Sequence, residues 1–154
     1  MRLGDDHLVP ARHWLISIRA EYWKLIRSGA KTCELRRGRC SIRRGDVLWV
    51  YASRDTKAIV GSLVVGDVTT SSSRDICKRF SSGAGVGWNQ CAEYFRGATS
   101  ASCISIACVA ILKSVVALPP SLRPPQRYYR LENTPGLLRS LQKRPTTYTG
   151  PFAA

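Results

Sequence analysis

Apolar and polar positions along this chain switch between a period of two and a period of three to four, and the switches mark its elements. Trp14 to Ile18 is bulky, apolar and alternating, as a first strand should be. From Glu21 to Ser28 the pattern changes: Tyr22, Leu25 and Ile26 fall at i, i+3 and i+4, on one face of a short helix. Gly29 stands where a left-handed residue would end that helix. Thr32 to Arg36 reads as a second strand. Its alternation sends Lys31, Cys33 and Leu35 to one side and Thr32, Glu34 and Arg36 to the other, although the turn at Gly29 leaves Lys31 room to swing across. Gly38 to Gly45 is a basic loop, closed by a Gly45-Asp46 turn. Val47 to Ala52 is apolar on both faces and reads as a central strand. Ala58 to Val68 is a long strand with Gly61 and Gly66 at bends or bulges.

Thr69 to Ser73 is polar and is expected to form a loop capping a short helix that begins near Arg74. Ser81 to Gly87 is small and is expected to be a mobile loop; Trp88 to Phe95 reads as a helix ended by Gly97. The apolar run from Cys103 to Leu112 is interrupted by Lys113 and stopped by Pro119-Pro120. It falls short of the roughly 20 residues a spanning helix needs, so it reads as a buried strand and no membrane partner is expected. Pro119-Pro120 and Pro124-Pro125 flank an extended segment, Gln126 to Leu131 predicts a last strand, and Pro135 to Lys143 a terminal helix. The tail beyond Pro145 and the basic arm over residues 1–13 are expected to be loose. Five or six strands with few, short helices predict an α+β, mainly β fold: a small open barrel with helices at its ends. At 154 residues the chain forms one such domain, over residues 14–131, with a helix and tail over 132–154.

Charge narrows the partners. The formal net charge is +14, and of the 24 basic residues 18 are Arg and 6 Lys. Arg forks onto phosphate and stacks on bases, so this bias points to RNA or a nucleotide, with single-stranded nucleic acid a fitting form. The six cysteines include no CxxC pair, and the two histidines, His7 and His13, lie near the N-terminus. No zinc site is expected from that spacing, nor any cofactor. Charged residues interrupt any apolar core at the N-terminus, so no secretory signal is read; the cysteines are expected to be free thiols in a reducing cytoplasm.

One constellation stands out. Lys31, Glu34 and Arg36 lie within six residues, just behind the turn at Gly29. The order helix, Gly-x-Lys-x-x-Glu-x-Arg, strand, Gly-Asp strand, glycine-bearing strand resembles the ASCH domains, a branch of the PUA-like superfamily. Gly29, Lys31, Glu34 and Arg36 carry the likeness; Gly45-Asp46-Val47, Tyr51-Ala52-Ser53, Val60-Gly61, Tyr94-Phe95-Arg96-Gly97 and Pro124-Pro125-Gln126-Arg127-Tyr128 support it. The resemblance implies a PUA-like open β-barrel with the Lys-Glu-Arg motif in a cleft, and an association with RNA. Some members are ribonucleases, and a compact branch resembles amidohydrolases acting on N4-acetylcytidine. In that branch the third residue after the motif lysine is typically threonine, whereas here it is Glu34.

Each candidate has a chemical and a structural role open to it. Lys31 can pair with phosphate, polarise an oxygen that gains negative charge, or move a proton if desolvated. Glu34 can serve as a general base, a base-edge acceptor or a counter-ion for its neighbours. Arg36 can clamp a phosphate or pair with Glu34. Arg36, Arg37, Arg39, Arg43 and Arg44 put five cations in nine residues with no acid from Leu35 to Gly45, a candidate phosphate track. Ser53 and Arg54 follow a strand end and can line the cleft. Tyr94 can stack on a base or donate its hydroxyl, Trp88 can serve as a stacking platform, and Arg127 and Tyr128 interleave charge with an aromatic ring. Neither a P-loop nor a dinucleotide-binding glycine fingerprint is present, no histidine pair is placed for acid–base RNA cleavage, and the few carboxylates disfavour a two-metal site. The expectation is an RNA- or nucleotide-binding module. The alternatives are a hydrolase, either a ribonuclease or an N4-acetylcytidine-type amidohydrolase, and, by fold analogy, a reader of modified DNA bases.

Overall fold

A computed structural model describes residues 10–149. The element order is β1 (His13–Arg19), α1 (Ala20–Ser28), β2 (Cys33–Arg37), β3 (Val47–Ser53), β4 (Ala58–Ser72), α2 (Ser73–Phe80), α3 (Trp88–Tyr94), β5 (Ser100–Val116), β6 (Tyr128–Arg130), a 3-10 turn (Leu131–Asn133), α4 (Pro135–Gln142) and β7 (Thr146–Thr149). The strands form one sheet in the order β2-β5-β4-β3-β1-β6, with β7 added to the far half of β5. Among the described residues only β1 and β3 run parallel; the other pairings are antiparallel. The sheet curls into an open barrel, as the resemblance implies.

Strand β3 shows why a strand apolar on both faces becomes central. Leu48, Val50 and Ala52 face the barrel interior among Trp14, Ile16, Trp23 and Ile104, while Trp49 and Tyr51 lie beneath Leu137, Leu138 and Leu141 of α4. Burying a Leu or Val side chain is worth roughly 1.5–3 kcal/mol, and here both pleat faces collect it. A third cluster puts Cys33 and Leu35 of β2 under Ile76 of α2, Cys91 of α3 and Phe95 just after it. By alternation Glu34 and Arg36 turn the other way.

Four expectations change. Thr69 to Ser72 does not loop out: β4 continues through it, paired with β5 as far as Ser72↔Ser100, and Ser72 Oγ then caps α2 by accepting from the Asp75 N–H at 3.1 Å. Within the tail beyond Pro145, Thr146–Thr149 forms β7 and pairs with Val109–Leu112, while residues 150–154 lie outside the described residues. The last strand is shorter than expected, giving way to a 3-10 turn at Leu131. Residues 1–9 of the basic arm lie outside the described residues, and the rest of it is not loose. Arg12 donates to Asp46 at 2.8 Å, and Asp46 also accepts from the Trp14 indole N–H and the Arg43 backbone N–H, each at 2.9 Å.

Burial alone would push the Asp46 carboxyl up, but the donors Arg12, Arg43 and Trp14 outweigh it, and its pKa lies below the usual value. Glu132 behaves alike: burial opposes, and Arg130 with the His13 backbone N–H brings it down to about 2. Both pKa values are depressed by folding. Their stabilisation is therefore complete above the unfolded-state values near about pH 4 and is lost as pH falls through the folded values. Asp46→Asn is expected to cost about 2 kcal/mol at pH 7, the worth of a hydrogen bond to a charged group. Urea unfolding at pH 7 and pH 3 checks this: the difference between the two proteins should shrink at pH 3. A constant difference would show that the charge of Asp46 is not what holds the arm.

Candidate functional site

The site lies at the seam of the open barrel. β6 pairs with β1 at Trp14–Ile16, so from Ser17 onward that edge of β1 has no strand partner among the described residues. Strand β2 is the last in the sheet order, so its outer edge is also unpaired among the described residues. Arg36 spans the seam: its Nη2 donates to the Ser17 carbonyl at 3.0 Å.

Lys31 reaches the seam through the helix end before it. Gly29 has φ 82° and its N–H donates to the Ile26 carbonyl, closing α1 as expected. The chain then doubles back, and the Lys31 N–H donates to the Leu25 carbonyl at 3.0 Å. Since β2 begins at Cys33, Lys31 is not bound by strand alternation and swings to the Glu34 side. Its side chain is buried, with the residue 3% exposed. Nζ donates to the Ala84 carbonyl at 2.7 Å, lies 3.5 Å from Glu34 Oε2, and sits 5.2 Å from the centroid of the Tyr22 ring. Glu34 Oε1 is 3.4 Å from Arg36 Nη2. The result is a row of cation, carboxylate and cation along one wall of a cleft of about 420 Å³, whose other walls include Tyr22, Gln90 and Tyr94. Two buried atoms of this row have no hydrogen-bond partner: Glu34 Oε2 and Arg36 Nε. Buried polar atoms left unpaired cost free energy, so the row is held together at a cost to the fold.

The Ser81–Gly87 segment, expected to be mobile, is instead folded into successive turns. The Gly83 carbonyl accepts from the Thr32 N–H at 2.8 Å, Ala84 is buried, and its carbonyl fixes the lysine. The segment is one wall of the site. The cysteine expectation also needs correction. Cys77 and Cys91 form a disulfide between α2 and α3, while Cys33, Cys40, Cys103 and Cys108 are free. Cys33 and Cys103 lie together near Lys31. A hydrogen bond from Cys103, opposed by burial and helped by Lys31, brings the Cys33 thiol below its usual value, and the same pairing pushes Cys103 up.

The remaining candidates divide. Tyr94 lines the cleft, 47% exposed, with its hydroxyl donating to the Leu35 carbonyl at 3.4 Å. Arg37 points away from the cleft and donates to the Tyr94 and Arg96 carbonyls at 2.9 and 3.1 Å, anchoring the turn after α3. Arg39, Arg43 and Arg44 are exposed on the Gly38–Gly45 loop outside the cleft lining, and Arg44 pairs with Asp67 at 2.9 Å. Ser53 ends β3 opposite Arg19, and Arg54 is exposed in the next turn; neither lines the cleft, and nor does Trp88. Arg127 donates to the Arg37 carbonyl at 2.9 Å and lies over the Tyr128 ring. Tyr128 is a packing residue: its ring meets Trp14 edge-on, and its hydroxyl accepts from the Ser41 N–H. Tyr22, Gln90 and Ser17 were missed. Tyr22 had only a helix-face signal, Gln90 donates to the Tyr22 hydroxyl at 3.3 Å, and the Ser17 and Ala84 contributions are backbone carbonyls without any sequence mark. Among the described residues no group of three or more His, Cys, Asp or Glu is placed to hold a metal ion, and no helix is long and apolar enough to cross a membrane.

The ASCH domain family model matches residues 16–107, more than half of the chain. In solved structures the chain is similar to the ASCH protein of Zymomonas mobilis, at TM-score 0.75 and 23% identity, covering 87% of this chain and 96% of that one. A single-residue variant of that protein gives TM-score 0.75 and 24% identity over 90% of this chain and 100% of that one. No functionally curated protein matches in sequence.

Proposed function

We propose, on the premise that this chain belongs to the ASCH domain family, that it binds RNA or a nucleotide, with one nucleotide held in the cleft at the barrel seam. The observation that carries this reading is the buried row Lys31–Glu34–Arg36 bordering a cleft of about 420 Å³ with two polar atoms unpaired. Three charged side chains are costly to bury, and a ligand that completes their hydrogen bonds gives the arrangement a use. Tyr22 and Tyr94 on the walls provide faces on which a base can stack. The exposed Arg39, Arg43 and Arg44 supply a diffuse positive field that draws in the phosphate chain.

A second reading, an RNA- or nucleoside-directed hydrolase, is favoured by one observation: an amine 3% exposed stands 3.5 Å from a carboxylate. Such a pair can hold and pass a proton. One experiment tests both. Labelled single-stranded RNA is incubated with the full chain, with Lys31→Ala, and with a variant carrying Arg39→Ala, Arg43→Ala and Arg44→Ala. Lys31→Ala is expected to weaken binding about tenfold or more, the loss of one charge-assisted contact. The arginine variant should lower the slope of log affinity against log salt by about 2, at roughly 0.7 per phosphate contact. RNA breakdown lost in Lys31→Ala would establish the hydrolase. Binding that neither variant alters would overturn the assignment of the cleft.

A further inference from the structure

We infer that the cleft selects the imide edge of a uracil base, an inference that rests on the nucleotide-binding reading above. Along the wall the order is fixed by two distances: Lys31 Nζ stands 3.5 Å from Glu34 Oε2, and Glu34 Oε1 stands 3.4 Å from Arg36 Nη2. The lysine ammonium has three N–H donors and the Ala84 carbonyl takes one. Arg36 uses Nη2 on the Ser17 carbonyl, its Nε is closed off without a partner, and Nη1 is the nitrogen left to donate into the cleft. Between them stands the Glu34 carboxylate: Oε2 is closed off beside Lys31, and Oε1, on the Arg36 side, is the oxygen left to accept from the cleft. What the protein offers is therefore donor, acceptor, donor.

The complement of that row is acceptor, donor, acceptor. Uracil presents it on its Watson–Crick edge: a carbonyl oxygen, the N3–H and a second carbonyl oxygen, the edge by which unstacked bases are read in single-stranded RNA. Cytosine places a lone pair at the centre, against the Glu34 carboxylate, and an amino group at one end, against a cation. Guanine satisfies one cation and Glu34 but turns an amino group toward the second cation. Adenine offers one donor and one acceptor and leaves the third position unmatched. The discrimination comes as much from these mismatches as from the match. A buried donor or acceptor left unpaired costs about 1–3 kcal/mol, or roughly tenfold to a hundredfold in affinity. The carboxylate at the centre is the element that decides, because it is the sole acceptor in the row.

The test is calorimetric titration of the full chain with the 5′-monophosphates of uridine, cytidine, adenosine and guanosine and with N3-methyluridine 5′-monophosphate. The eight-residue homopolymers of U, C and A follow as a second arm. The uridine ligands are expected to bind at least tenfold tighter than the cytidine ones. Methylation at N3, which removes the central donor and leaves both carbonyls, should cost at least tenfold. Glu34→Gln, checked for folding by circular dichroism, should bring the uridine-to-cytidine ratio below about threefold, since its amide can turn a donor to the centre. Equal affinity across the bases, or undiminished binding of the methylated nucleotide, would overturn the selection while leaving nucleotide binding intact. Failure of all monophosphates and all homopolymers to bind would overturn the nucleotide reading itself.

Discussion

Glu34→Ala is expected to destabilise the protein by about 3–5 kcal/mol, the range for removing one partner of a buried ion pair. The Lys31, Glu34 and Arg36 side chains are 4%, 13% and 11% exposed. Removing the carboxylate leaves two cations facing each other across an emptied space, neither free to reach water. For a chain of this size each kcal/mol lowers the melting temperature by roughly 2–4 °C, so a drop of roughly 6–20 °C should follow in thermal unfolding watched by circular dichroism. Lys31→Ala should cost less. It removes a buried charge rather than stranding two, and Arg36 still neutralises Glu34. The ordering of the two variants is therefore the informative result. If Glu34→Ala melts within a degree of the unaltered chain, the three side chains are not locked together, and the cleft loses the rigidity on which base recognition depends.

The elements that could be read in advance are those whose burial repeats along the sequence. Strand β3, α1 with its Gly29 stop, and the Lys-Glu-Arg motif all followed from spacing, because each buries a regular face or needs a glycine at a fixed point. What escaped detection is held by partners far along the chain. Thr69 to Ser72 is polar and extends β4 only because Ser100 to Cys103 supply its ladder. Strand β7 is a strand because Val109–Leu112 has an open edge. The disulfide joins residues 14 apart that α2 and α3 bring together. Within the site, Glu34 and Arg36 follow strand alternation, whereas Lys31 breaks it by standing two residues before β2. The arginines show the limit of reading charge by count. Arg12, Arg37 and Arg127 hold the chain together through Asp46 and backbone carbonyls, so part of the positive charge that points to nucleic acid is spent on the fold.

Gly61→Ala is expected to cost about 3 kcal/mol, the upper end for forcing extra volume into a packed interior, and to weaken RNA binding as well. Gly61 lies at a register shift between β4 and β5. An added Cβ would fall on the Ala110 carbonyl oxygen and come within 2.8 and 2.9 Å of two carbons of the Trp23 indole. The carbonyl belongs to the sheet and cannot step aside, so part of the strain must pass to Trp23. Trp23 is buried in α1 and, with Ile26, seats this helix against the barrel. Displacing α1 moves the Leu25 carbonyl that orients Lys31, which is far from the substitution in sequence but coupled to it through the Trp23 ring. Chemical denaturation and RNA titration on the same preparation separate the two consequences. Trp23→Phe added to Gly61→Ala should restore part of the stability, since a smaller ring relieves one clash and leaves the carbonyl clash in place. Loss of stability with unchanged RNA affinity would mean that Lys31 is positioned by the Ala84 turn alone, and that α1 carries the lysine without aiming it.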